Sequence, residues 1–160
     1  TPGGATLIDL GVRIESIDIE LVPLEDAVAA GTAAAAQLFE VLDALGRDGA
    51  APSKGLVGDA QAKITVFQRA VDQLAAPDDT RPPFSNAISD EDRQPWVDAW
   101  LKQLFGSGDR GTRIAQARTA VLNRLARLKE QLDPVQARRD ELAARRSDLA
   151  TQYDRLLDPA

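Results

Sequence analysis

The chain has 160 residues, and its shares of hydrophobic residues (44%) and charged residues (28%) are those of an ordinary globular protein. It contains neither cysteine nor histidine, which excludes disulfides, Cys/His zinc sites, thiol nucleophiles and imidazole catalysis. Aromatic residues make up only 4%, so we expect helices that pack through small and aliphatic side chains rather than a sheet core.

The length predicts a single domain over residues 1–160. The chain opens with Thr1-Pro2-Gly3-Gly4 and contains no methionine, so we expect a processed chain or a piece of a longer protein. No apolar run approaches the roughly 20 residues that a membrane span needs, and we predict no span in this chain.

The first predicted element is a long helix over residues 5–45. Apolar residues recur there at alternating steps of three and four residues, as in the seam of a coiled coil. A strand is the alternative for residues 7–22, which alternate and are rich in β-branched residues, and Pro23 would remove a helical hydrogen bond. We favour the helix because the pattern crosses Pro23 without losing phase. The seam positions are Leu7, Leu10, Ile14, Ile17, Leu21, Leu24, Val28, Gly31, Ala35, Leu38, Leu42 and Leu45.

Two shorter helices are predicted over residues 56–76 and 89–105, with Ser89 or Asp90 as the N-cap of the second. Connections rich in glycine and proline are predicted at residues 46–55, 77–85 and 106–111. The apolar face of the first is Val57, Ala60, Ile64, Phe67, Val71 and Leu74, and that of the second is Trp96, Val97, Trp100, Leu101, Leu104 and Phe105.

A second long helix is predicted over residues 112–157. Asp133 and Pro134 fit either the start of a fresh helix or a kink in a continuous one, and we favour the kink because the heptad phase is kept. One seam column is aliphatic and the other is mixed. The first comprises Ile114, Val121, Leu128, Val135, Leu142, Leu149 and Leu156, and the second comprises Arg118, Leu125, Leu132, Arg139, Arg146 and Tyr153.

Charge predicts how the two long helices pair. Residues 7–45 carry eight acidic side chains and a single basic one, whereas residues 109–146 carry ten basic and five acidic side chains. Complementary flanking charges select partners in coiled coils, and an up-down connection makes the two helices antiparallel. The sequence therefore predicts an all-α, elongated up-down helical bundle with Leu7 near Leu156 and Leu42 near Val121. Arginines in the second seam column further predict a dimer or larger assembly.

Four patterns are candidates for chemistry. Gly106, Gly108 and Gly111 spell G-x-G-x-x-G, but the dinucleotide motif follows a strand, so we interpret them as a turn between helices. The phosphate-loop spacing is missing around Ser53-Lys54-Gly55. The acidic clusters Asp90-Glu91-Asp92 and Asp78-Asp79 lack the spacing of a calcium loop, and we interpret them as helix caps and solvated surface. We predict no catalytic, cofactor or metal site.

Two further clusters have a structural and a binding interpretation. Trp96 and Trp100 lie one turn apart, and we interpret them as core anchors rather than a stacking platform for a ligand. Arg138, Arg139, Arg145 and Arg146 have the helical spacing of a phosphate-binding surface. Acidic residues are interleaved with these arginines and the first helix is acidic, which argues against nucleic acid.

We therefore predict a non-catalytic helical or coiled-coil interaction or scaffold module, which binds a protein partner or itself through its seams. The alternative is an extracytoplasmic four-helix ligand-sensing domain of a membrane receptor. Heptads that continue beyond residues 1 and 160 in the gene would favour the first hypothesis, and apolar segments there would favour the second.

Overall fold

The computed structural model describes residues 2–46 and 53–158, without the side chains of residues 2, 3 and 5. Residues 47–52 of the predicted connection 46–55 lie outside the described residues. The two long helices pack along each other, no strand occurs in the described part, and the predicted all-α bundle is confirmed. The elements are α1 (Pro2–Gly46), α2 (Lys54–Asp72), a 3-10 turn (Phe84–Ala87), α3 (Asp90–Arg93), α4 (Val97–Leu104) and α5 (Arg110–Leu157).

Helix α1 runs unbroken through residues 7–22 and through Pro23, so the strand alternative is wrong. Every predicted seam position of α1 is buried or half-buried. The seam explains why one missing hydrogen bond at Pro23 does not end the helix, because burial on both sides of the proline holds the backbone in place.

Helices α1 and α5 are antiparallel in the predicted register. A Cβ atom placed on Gly31 would lie 2.8 Å from Leu132 Cδ1, and one on Gly11 would lie 3.9 Å from Tyr153 Cε2. Because the helices are antiparallel, moving the contact along α1 by a number of residues moves it back along α5 by the same number. The two contacts therefore place Leu7 beside Leu156 and Leu42 beside Val121.

This register makes a cross-linking prediction in a chain without native thiols. We expect the double variant Leu7→Cys/Leu156→Cys to form a disulfide within one molecule under oxidising conditions, seen by mass spectrometry at low protein concentration. The control Leu7→Cys/Leu142→Cys moves the second thiol by about 20 Å along α5 and is expected to stay reduced. Equal cross-linking of both variants would contradict the register.

Three helices meet around Gly31. The ring of Phe67 on α2 and the side chain of Leu132 on α5 both approach the α1 backbone there. Helix α2 begins at Lys54 behind the N-cap Ser53, whose hydroxyl accepts a hydrogen bond from the Leu56 amide at 3.1 Å. Its predicted apolar face is buried, as is the C-terminal half of the α1 seam, so this end of the molecule has a continuous core.

The segment 89–105, predicted as one helix, forms two. Helix α3 ends at Arg93 and α4 begins at Val97, because Pro95 has no amide to donate and disfavours the helical conformation of Gln94 before it. Trp100 and Leu104 are buried as the pattern indicated, but Phe105 is exposed, since the helix ends before it.

Helix α5 continues through Pro134, and its aliphatic column is buried from Val121 to Leu142. The mixed column lies on the contact face in part, because Leu132 is buried and Leu125, Arg146 and Tyr153 are half-buried. At two positions the preceding residue is the more buried one. Ala117 and Arg138 are buried, whereas Arg118 is exposed and Arg139 is half-buried. Ala117 and Arg138 each stand three residues after a position of the aliphatic column, whereas the prediction took the position four residues after it, and a heptad seam alternates the two steps. Of the predicted seam arginines, Arg118 is exposed and Arg146 pairs with Asp18 of α1, and the dimer stays a prediction.

Beyond Glu141, whose carboxylate lies 3.7 Å from Arg81, α1 and α5 continue as a pair. We call residues 2–22 of α1 and 142–157 of α5 the stalk, and the remaining described residues the head. At 1.5 Å per residue the stalk extends about 30 Å from the head.

The length and apolar composition of α1 also fit those of a membrane-spanning helix. The helix from Thr6 to Gly46 is long and apolar enough to cross a membrane by length and composition alone, because an 18-residue stretch of it has a mean hydropathy of 1.3. We predicted no span because we counted uninterrupted apolar runs. In the fold 44% of this apolar stretch is buried, and core helices of bundles pass the same test. The contacts of α1 with α2 and α5 account for its buried apolar side chains, and the absence of a span stays a prediction.

Candidate functional site

The outward face of α1 in the stalk carries a row of exposed apolar side chains. Ile8, Val12, Ile19 and Val22 are 72%, 57%, 68% and 60% exposed, and their spacing places them on one face of the helix. We call these four residues the outer stripe. Single exposed apolar residues are ordinary, but four β-branched ones aligned over about 20 Å form a patch of the kind that marks an interaction site.

The outer stripe lies opposite the α1–α5 seam. In the heptad repeat that places Leu10 against α5, the four residues of the outer stripe occupy positions that point away from α5. Val12 borders a groove that reaches Leu149 on one side of α1, and Val22 borders a groove that reaches Arg146 on the other. The outer stripe therefore follows the crest of α1 between the two grooves.

Helix α5 offers no matching apolar face in the stalk. Its exposed residues there include Arg145, Ser147, Asp148 and Asp154. Leu156 and Leu157 are exposed only at the end of the helix. Any partner that covers the outer stripe therefore lies along α1 rather than astride both helices.

The acidic residues beside the seam are engaged by α5. Arg146 donates a 2.5 Å hydrogen bond to Asp18, and Arg138, which is buried, donates one of 3.0 Å to Glu20. These cross-helix pairs follow from the predicted charge complementarity. They also remove Asp18 and Glu20 from the set of charges that an external partner meets.

The charges left on the outward face are negative. Glu15 lies between Val12 and Ile19 and is exposed, and Glu25 and Asp26 follow just beyond the stripe. None of these three acids forms a hydrogen bond or ion pair with the described part of the chain. Two cations line the groove beside Val12, and both are paired, because Arg13 is 3.2 Å from Asp9 and Arg145 is 2.7 Å from Glu141.

The outer stripe also explains why residues 7–22 resemble a strand in sequence. Ile17 and Leu21 are turned toward α5, whereas Ile19 between them belongs to the outward face. Two apolar rows on opposite sides of one helix create the alternation. The signal was present in the spacing of residues 8, 12, 19 and 22, and the sequence analysis missed it because it followed a single seam.

A buried acidic residue joins α3 to α5. Asp92 accepts hydrogen bonds from the Ser89 amide at 3.0 Å and from Gln131 Nε2 at 3.0 Å, and it pairs with Arg127. Gln68 Nε2 donates to the Asp92 carbonyl at 2.9 Å. We call this group the Asp92 cluster. The sequence predicted the cap at Ser89, which also accepts from the Asp92 amide in a capping box, but not the partners from α2 and α5.

The two tryptophans lie side by side in the head. Their rings are 6.0 Å apart and nearly perpendicular, and Trp100 Nε1 donates a 3.0 Å hydrogen bond to the Ala117 carbonyl in the core. The guanidinium of Arg124 lies 5.2 Å from the Trp96 ring centre. Burial and the nearby Arg127 lower the pKa of Arg124. This packing uses both rings and leaves no open stacking face between them.

The predicted arginine cluster is divided among four carboxylates. Besides the pairs of Arg138 and Arg146 with α1, Arg139 lies 3.0 Å from Asp140 and Arg145 lies 2.7 Å from Glu141. Phosphate binding would require these ion pairs to break.

The glycine motif connects α4 to α5. Gly108 has φ of 116°, a left-handed conformation that favours glycine, and helix α4 rather than a strand precedes the motif. Asp109 then caps α5 by accepting from the Thr112 amide at 3.0 Å. Ser53 is likewise a helix cap.

The acidic side chains of Asp78-Asp79 and of Asp90-Glu91-Asp92 do not converge on one point. Within residues 2–46 and 53–158, no group of three or more acidic side chains lies close enough to hold a metal ion. Asp78 accepts hydrogen bonds from Thr80 and Arg81, and these bonds hold the pKa of its carboxyl well below its usual range. The turn that results forms one wall of a groove of about 510 Å³ against α5. The groove is lined by Pro77, Pro82, Pro83, Phe84, Pro134 and Arg138 among others.

No family model matches this sequence, and no curated protein or solved structure resembles it closely enough to count as a relative.

Proposed function

We propose that this chain is a non-catalytic helical interaction module whose stalk binds a partner protein along the outer stripe. The observation that carries the proposal is the exposure of Ile8, Val12, Ile19 and Val22 on the face turned away from the chain's own seam. Removing such side chains from water is favourable by about 25 cal/mol for each Å² of apolar surface, so a partner that covers the row is stabilised on it.

The shape of the molecule supports a scaffold role. The head has a continuous core, and the Asp92 cluster ties its short helices to α5. The stalk then holds the outer stripe away from the head on two paired helices. The polar groups of the Asp92 cluster bind one another, which suits a structural element rather than an enzyme.

The test is site-specific photocross-linking in the source cell. A photoreactive residue in place of Ile19 is expected to capture one discrete partner. The matched control is Val66 on α2, which is 56% exposed and lies outside the outer stripe, and it is expected to capture none. If photoreactive residues at Ile8, Val12 and Ile19 all fail to cross-link, the proposed function is wrong.

A second candidate function, the extracytoplasmic ligand-sensing domain of a membrane receptor, is favoured by the proline-lined groove. Its volume of about 510 Å³ lies within the range of small-molecule sites, and its wall is mostly apolar. A screen of small molecules by thermal shift tests it. A ligand that raises the melting temperature of the wild type, but not of an Ala137→Trp variant with a filled groove, would support sensing over scaffolding.

A further inference from the structure

We infer that the segment bound by the outer stripe is a basic amphipathic helix, with a lysine or arginine facing Glu15. This inference rests on the proposed function and adds the chemistry of the partner. It is carried by the spacing of the stripe and by the charge that surrounds it.

The form of the stripe selects a helix. Helix α1 uses its backbone donors and acceptors internally, so a partner cannot add to it as a strand and must bind through side chains. The four side chains form a narrow row about 20 Å long at steps of four, seven and three residues, and Glu15 stands within the step of seven. Such a row fits the apolar face of a second helix of about four turns.

The charge selects a basic partner. Glu15 lies inside the row and is exposed without a partner in the described part of the chain, and Glu25 and Asp26 stand at one end of the row in the same condition. A partner helix that covers Val12 and Ile19 must place some residue beside Glu15. A cation there is attracted, and an anion is repelled.

The same charge argues against a second copy of this chain. Glu15 is central in the row, so a two-fold symmetric pairing that covers the whole of both outer stripes, parallel or antiparallel, brings Glu15 against Glu15. The basic helix α5 of another copy does not fit either, because its aliphatic column is already buried on its own α1. Anionic lipid is repelled by the same acids.

The experiment uses the full chain and two synthetic helical peptides. Both carry leucines at the four, seven and three residue steps of the outer stripe. They differ only at the position that faces Glu15, which is lysine in one peptide and glutamate in the other. Fluorescence anisotropy is expected to show about tenfold tighter binding of the lysine peptide, since one ion pair and one like-charge contact each change affinity up to about fivefold. In Glu15→Lys the preference is expected to reverse.

Non-specific attraction of a basic peptide to an acidic protein is excluded by Val12→Glu. This variant adds a negative charge, which would strengthen non-specific binding, but it interrupts the apolar row and is expected to abolish the complex. Val66→Glu adds the same charge outside the stripe and is expected to leave binding unchanged.

The other outcomes separate the two proposals. If both peptides bind equally and Val12→Glu abolishes both complexes, the charge inference is overturned while the interaction surface stands. If neither peptide binds, and the chain instead self-associates through the stripe in sedimentation or binds vesicles of zwitterionic lipid, the basic helix is overturned in favour of that occupant. If nothing binds and Ile19 does not cross-link, both proposals fail.

Discussion

Replacing Gly31 with leucine is expected to lower the free energy of unfolding by about 3 kcal/mol. Gly31 is buried where α1, α2 and α5 meet, and even a Cβ atom there would lie 2.8 Å from Leu132 Cδ1 and 2.9 Å from Phe67 Cε1. Leu132 can change rotamer, but the ring of Phe67 is fully buried and has no space to move. The three helices must therefore separate to admit a larger side chain. Urea unfolding followed by circular dichroism measures the loss.

The alanine variants of two glycines separate packing from helix propensity. Alanine is a better helix former than glycine by about 0.5–1 kcal/mol. Gly58 on α2 has nothing within 4 Å of an added Cβ, so Gly58→Ala is expected to stabilise the protein by that amount. Gly31→Ala is expected to destabilise it, because the steric cost exceeds the propensity gain. If both variants stabilise the protein equally, the close approach at Gly31 is wrong.

Gly31 illustrates how far the sequence predicted the fold. The three-four spacing placed this residue in the α1 seam and predicted the register that brings it to Leu132. The spacing did not predict why glycine occupies the position, because the reason is Phe67 on α2. A single-helix pattern contains the contact with one partner, and the approach of a second partner is a tertiary property.

Two local errors had a signal in the sequence. Pro95 marks the break between α3 and α4, since a proline disfavours helical backbone in the residue before it. The buried Arg138 was placed at Arg139 because we took the position four residues after Val135, whereas a heptad seam also contains the step of three. Both corrections follow from backbone geometry alone.

The candidate site likewise has a part that the sequence could predict and a part that it could not. The outer stripe is a spacing on one helix and could have been found beside the seam. The sequence could not tell that Glu15 has no partner in the described part of the chain. The neighbouring acids Asp18 and Glu20, three and five residues later, are bound by arginines of α5. The Asp92 cluster has no sequence signal beyond its capping box, since Gln131 and Arg127 come from another helix.

Replacing Asp92 with alanine is expected to lower the free energy of unfolding by about 3 kcal/mol. The carboxylate is buried and binds the Ser89 amide, Gln131 Nε2 and the guanidinium of Arg127. Its removal takes the capping box from α3 and leaves the buried Gln131 amide without this acceptor. A group that loses its partner while it stays buried is destabilised by its full desolvation, which is why the effect exceeds that of an ordinary hydrogen bond.

The neighbouring acid provides the control for this prediction. Asp90 lies in the same first turn of α3 but is exposed, so Asp90→Ala removes only a favourable charge at a helix N-terminus and is expected to cost less than about 1 kcal/mol. A double-mutant cycle of Asp92→Ala with Gln131→Ala is expected to be strongly non-additive, because the two residues share one hydrogen bond. Equal losses for Asp90→Ala and Asp92→Ala, or strict additivity in the cycle, would show that α3 is held by its helix dipole and not by the Asp92 cluster.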